Sequence, residues 1–290
     1  MDAPSVPGLV PPPSRDWSYV FPLRTSRELL EKARELCCSG DIYQFRELLD
    51  WGASFSEDFS IDDFGWVMTK AIEQDNAPVV KELLHRNFPL SPVYAWDAAT
   101  HKSKKALAVL IEKGWNINQP MGETQPPTLG RVIHDEEMTT WFLDNGADPN
   151  ARTVMDVTPL SWAVEGAPMS IVRLMVDRCK SFQNGQLLHY AVGRESDTIE
   201  VLELLMEKGA PLNAPMHIDH ATFSLQCFMP LGTALHRAVE LDKVDVVRYL
   251  VSKGADQSVK DAKDAKGLTP IELARKLNKL EIIALLEKGE

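Results

Sequence analysis

The sequence predicts an all-α fold, a solenoid of stacked helix-turn-helix units, on three observations. Apolar residues recur at three- and four-residue spacing in short stretches, each followed by a glycine or a substitute for one. A second signature of threonine, proline or a small residue, and alanine stands 15–20 residues upstream of the clearest of those ends. Finally, the 290 residues are 44% hydrophobic and 25% charged, a composition that excludes wholesale disorder and collagen-like structure.

The first 25 residues stand apart. Pro11-Pro12-Pro13 and further prolines preclude a helix or sheet interior, while Trp17, Tyr19, Phe21 and Leu23 alternate. This segment reads either as a disordered leader or as an extended strap on the first repeat. Nothing in it resembles the basic patch and apolar core of an export signal, so an intracellular location, cytoplasmic or nuclear, is expected, with reduced cysteines. No run of 18 apolar residues occurs, and no membrane partner is expected.

The helices follow in order. The stretches Phe45 to Leu49, Ala106 to Ile111, Trp141 to Leu143, Val201 to Met206 and Val246 to Val251 each read as one-sided helices. Their ends are expected at Gly52, Asn87, Gly114, Gly146, Cys179, Gly209, Gly254 and Gly289, where a left-handed residue closes a helix at little cost. Cys179 cannot do so readily, and Asn184-Gly185 offers a later turn. The upstream signature reads Thr158-Pro159-Leu160-Ser161-Trp162-Ala163, Leu188-His189-Tyr190-Ala191, Thr233-Ala234-Leu235-His236-Arg237-Ala238 and Thr269-Pro270-Ile271-Glu272-Leu273-Ala274. Threonine caps a helix, proline fits its first turn, and alanine allows close helix approach.

These residues resemble the ankyrin repeat, with its Thr-Pro-Leu-His-x-Ala start and a period of about 33 residues. The resemblance implies a single domain of about eight units over 26–290, with projecting hairpin loops and a concave face that binds proteins. It also implies that His189 and His236 order neighbouring units. Three departures stand out: a shortened unit at Thr128 to Ile133, a lengthened turn at Arg194 to Asp197, and an inter-repeat insertion at 214–230.

The site residues follow from this frame. Trp66, Trp96 and Trp162 fall on inner helices, where large aromatics serve either as core or as binding anchors. Met121 and Met155 fall in hairpin connections and suit adaptable contact surfaces. Glu123, Arg152, Glu165, Arg194 and Glu240 fall near hairpin tips or inner-helix ends, and Phe223 and Phe228 lie in the insertion. The insertion also holds His217, Asp219, His220 and Cys227, a possible ligand or lid site whose spacing is a weak metal pattern. Asp135-Glu136-Glu137 reads as the acidic first turn of a helix.

No elbow, phosphate-loop or zinc-protease motif is present, so no catalytic residue, cofactor or metal is expected. The formal charge of −11 and the acidic stretch 131–170, with two basic against seven acidic side chains, speak against nucleic acid. The expectation is a non-catalytic interaction module, monomeric, binding another protein that includes, as one case, an enzyme it regulates. The alternative is a small-molecule binder or enzyme whose pocket is closed by 214–230.

Overall fold

The computed structural model describes residues 23–216, 232–261 and 267–288. Every element among them is helical, and no helix is long and apolar enough to cross a membrane. The chain divides into two compact units, 1–113 and 114–290.

The first unit contains three helix pairs: α1 (Arg27–Ser39) with α2 (Ile42–Phe55), α3 (Gly65–Glu73) with α4 (Ala77–His85), and α5 (Pro92–Thr100) with α6 (Lys104–Glu112). Side-chain caps start several of these helices. Ser26 accepts from the Leu29 amide, Asp41 from those of Tyr43 and Gln44, and Asn76 from that of Val79. Such caps typically contribute about 1 kcal/mol each. Phe45, Leu49, Phe64, Met68, Ile72, Leu83, Leu107 and Leu110 are fully buried between the pairs.

Gly52 does not end α2, which continues to Phe55. Its role is close approach: a Cβ there would lie 2.7 Å from the Phe59 ring and 3.1 Å from Leu29 Cδ1. Asn87 does adopt the left-handed conformation, at φ 65°.

In the second unit a single 3-10 turn, Thr128–Arg131, pairs with α7 (Glu136–Asp144). Four pairs follow: α8 (Pro159–Gly166) with α9 (Met169–Arg178), α10 (Leu187–Gly193) with α11 (Thr198–Glu207), α12 (Ala234–Glu240) with α13 (Val244–Ser252), and α14 (Pro270–Lys276) with α15 (Leu280–Lys288). The shortened unit expected at 128–133 is thus reduced further, to one turn. Pro126-Pro127 blocks an earlier start, and Asp135 already caps α7 by accepting from the Met138 amide. Gly114, Gly146, Gly209 and Gly254 end helices at positive φ as their positions predict. Cys179 is extended, and the positive φ comes later, at Gly185. Gly289 and the leader through residue 22 lie outside the described residues.

Candidate functional site

One position in the start motif ties three successive helix pairs of the second unit, from α8 on, each to the next. Ser161 Oγ accepts from the Thr158 amide at 3.0 Å and donates to the Gly185 carbonyl at 2.6 Å. His236 performs both tasks with a ring: Nδ1 accepts from the Thr233 amide at 3.1 Å, and Nε2 donates to the Leu268 carbonyl at 2.9 Å. His189 Nε2 reaches the Gly232 carbonyl at 2.9 Å. All three acceptors occupy the position just before the next helix cap. Serine is shorter than histidine, so Gly185 must come closer. A Cβ there would sit 2.7 Å from Thr158 Oγ1 and 2.9 Å from Ser161 Oγ.

The His236 bonds are those of a neutral imidazole. A proton on Nδ1 of His236 would face the Thr233 N–H. Burial lowers the His236 pKa, outweighing the Leu268 carbonyl and the nearby Asp261 and Glu240, which raise it. These histidines are repeat-ordering residues.

The next motif position faces outward and holds Arg131, Trp162, Tyr190 and Arg237 in successive units. The Arg131 guanidinium lies over the Trp162 ring at 5.3 Å, and Trp162 is half-buried. Glu165, one turn further along α8, rests its carboxylate over Gly193, so near that a Cβ at Gly193 would sit 3.1 Å from Oε1. Burial of that carboxyl raises its pKa, partly offset by Arg237. Burial pushes the Tyr190 hydroxyl well above the usual range, helped by the negative charges of Glu165 and Asp156. Arg237 also pairs with Glu240 at 3.5 Å. The result is an inner-helix face of aromatic and guanidinium groups beside the Glu165 carboxylate, which is exposed and lies close over Gly193.

The ankyrin-repeat family model matches residues 232–262, the stretch containing the His236 motif and Gly254. Those residues are an ankyrin repeat. Over 178 residues, 61% of its length, it is 26% identical to alpha-latrocrustotoxin-Lt1a of Latrodectus tredecimguttatus. It spans only 9% of that toxin, so the likeness concerns a small part of the larger protein.

Within this ankyrin frame the sequence-predicted residues distribute unevenly. Glu123 and Arg152 are exposed, Met121 and Glu240 half-buried, and Glu165 projects from α8. Trp96 is half-buried on α5, while Trp66 is exposed on α3 with the Arg34 guanidinium 4.4 Å over its ring. Two expectations fail. Met155 is no contact residue but fully buried. Its backbone is stitched on both sides, to the Glu123 carbonyl at 3.1 Å and by Gln186 Nε2 at 3.1 Å, which turns the side chain inward. Arg194 is also buried: it donates to the Val164 carbonyl at 3.3 Å, and its own carbonyl accepts from Lys243 Nζ.

His217, Asp219, His220, Phe223, Cys227 and Phe228 lie outside the described residues. The described ends of the insertion meet, with the Met216 amide 3.0 Å from the Gly232 carbonyl, so the added length is spliced in at one point. Beside that point is a cavity of about 260 Å³, with Arg152, Asp156, Phe182, His189, Pro211 and Ala214 in its lining. Among the described residues no three or more His, Cys, Asp or Glu side chains gather as metal ligands.

Sequence reasoning missed Arg131, Tyr190, Arg237 and Arg34. Reading the residue between histidine and alanine down the repeats would have found the first three. Arg34 lies in a helix without the start motif and leaves no such mark.

Proposed function

We propose that this ankyrin-repeat chain is a non-catalytic interaction module whose partner protein seats on the inner-helix face formed by Arg131, Trp162, Glu165, Tyr190 and Arg237. Ankyrin repeats are in general protein-interaction modules, which supports the class. The observation that carries the location is Trp162 held under Arg131, with the exposed Glu165 one turn further along α8. Tryptophan, tyrosine and arginine anchors are what interface hot spots are enriched in. An anchor already stacked loses little side-chain freedom on binding.

The small-molecule reading finds less support. The cavity beside Ala214, about 260 Å³, falls below the roughly 300–1,000 Å³ usual for ligand pockets.

Affinity capture from native cell extract tests the proposal, comparing the natural chain with a Trp162→Ala/Arg237→Glu variant. A protein retained reproducibly by the natural chain and reduced roughly tenfold or more by the variant is expected, the scale of losing hot-spot residues. Retention of no protein, or equal retention by both, overturns it.

A further inference from the structure

The cavity of about 260 Å³ in the second unit is built by three successive segments of the chain. Arg152 and Asp156 come from the connection before α8, Phe182 and Gln186 from the loop before α10, and Pro211 and Ala214 from the connection after α11. Leu187 and Leu188, both buried at the start of α10, line it between these walls.

Bonds among the segments hold this space in shape. Asp156 Oδ1 pairs with Arg152 Nε at 3.0 Å, and Asp156 Oδ2 accepts from the Gly185 amide at 3.1 Å. Gln186 Nε2 donates to the Met155 carbonyl at 3.1 Å, and Gln183 Nε2 donates to the Gly209 carbonyl at 2.9 Å. A site fixed in this way before binding loses little freedom when it is filled.

Size and lining together select an occupant. An apolar cavity of about 150 Å³ already takes benzene, whereas drug-sized ligands fill roughly 300–1,000 Å³. The space therefore suits one aromatic ring with a short polar tip. The 210–215 wall presents alanine and proline, on which a ring packs, and the 152–156 wall presents a guanidinium and a carboxylate. A phenol matches that second wall because its O–H donates and its oxygen accepts, while an indole N–H only donates. Asp156 also lies near enough to Tyr190 for its charge to help raise the Tyr190 hydroxyl, so the cavity adjoins the face of Trp162, Tyr190 and Arg237.

We propose that this cavity takes a single tyrosine side chain of the partner protein, its ring against Pro211 and Ala214 and its hydroxyl at the Arg152–Asp156 pair. The assignment rests on the partner-protein reading and gives that partner a chemical feature.

Methyl NMR of the purified full chain with p-cresol, the tyrosine side chain as a free molecule, tests this. Saturable shifts of the Leu187 and Leu188 methyl signals are expected, with contacts from the cresol ring to those methyls. Toluene, which lacks the hydroxyl, should bind roughly fivefold more weakly, the scale of one hydrogen bond. Ala214→Trp, which fills the space, should weaken cresol binding roughly tenfold or more. Thermal unfolding checks that this variant folds, and the ring contacts locate the site without it. In affinity capture, saturating p-cresol should lower retention of the partner roughly threefold or more, as loss of one anchor would. No saturable cresol binding, contacts to other residues, or equal binding of toluene overturns the proposal and leaves the Trp162 face standing. Cresol binding with unchanged retention overturns the partner's tyrosine as the occupant. Retention of no protein by the natural chain overturns the partner reading and this proposal with it, even where cresol binds.

Discussion

The two units build the same helix pairs but bond them together differently. In 114–290, a motif side chain of one pair reaches the backbone just before the next: Ser161 to Gly185, His189 to Gly232, His236 to Leu268. In 23–113 bonds that join the pairs lie elsewhere. There the pairs are joined at their inter-helix turns, by Asn76 Nδ2 to the Cys37 carbonyl at 3.0 Å and Asp75 Oδ1 to the Ala106 amide at 2.8 Å. An ion network adds to these. Glu82, buried on α4, accepts from Arg46 Nε at 2.7 Å and Arg86 Nε at 2.8 Å, and Arg86 also reaches Asp50 at 2.7 Å. The difference shows what the ankyrin signature encodes. It specifies the bond between repeats, whereas the helices need only caps and an apolar stripe.

The sharpest way to break the comparison is Gly185→Ala. A left-handed Cβ costs about 1–2 kcal/mol by itself. Here it also collides with Thr158 and Ser161 at 2.7 and 2.9 Å and disrupts the Ser161 bond. A loss of about 3–4 kcal/mol in denaturant unfolding of the second unit is expected. Gly209→Ala, with positive φ but open space around it, isolates the backbone cost and should lose only about 1–2 kcal/mol.

Glu82→Ala is the counterpart in the first unit. It removes two charge-assisted bonds from a buried carboxylate and leaves Arg86 short of a partner, so a loss of roughly 2–3 kcal/mol is expected. Hydrogen exchange resolved by peptide should localise that loss to 23–113.

Acid titration separates the units more gently. His236 is depressed by burial below the ordinary histidine value of 6.5. Its contribution is therefore complete above pH 6.5 and falls as the pH drops through the lowered folded value. Burial alone would raise Glu82, but the bonds from Arg86 and Arg46 hold it below the ordinary 4.5. Its contribution stays complete above 4.5 and is lost only as pH falls through that lower value. Peptides of α12 should thus lose exchange protection at a higher pH than those of α4. The reverse order would contradict the assignment of these two groups.

The smallest effect is expected for Trp162→Ala. The ring is half-buried and its stack with Arg131 contributes about 0.5–1 kcal/mol, so thermal stability should change little beyond that.

Much of the fold was legible because it rests on local chemistry. The positive φ at Asn87, Gly114, Gly146, Gly209 and Gly254 and the acidic cap of α7 follow from residue type and spacing, and the ordering role of His189 and His236 from the resemblance of their motifs to the ankyrin start. What was not legible depended on neighbours distant in sequence. Gly52 resembled a helix end because nothing in the sequence announced the Phe59 ring on its Cα. Met155 and Arg194 read as surface residues because methionine in a hairpin and arginine in a turn usually are. Here bonds from Glu123, Gln186 and Val164 pull them inward. The candidate site was half legible. Trp162 and Glu165 were singled out, while Arg131, Tyr190 and Arg237 emerged only once the repeats stood side by side.

Partner binding is proposed to reside on the Trp162 face of the second unit and not on the exposed aromatics Trp51 and Phe55 of the first. Quantitative affinity capture with three chains tests it most directly: the natural sequence, Trp162→Ala/Arg237→Glu, and Trp51→Ala/Phe55→Ala. The first variant is expected to lose the retained protein roughly tenfold or more while the second retains it at the natural level. Loss in the second variant with retention in the first would contradict it.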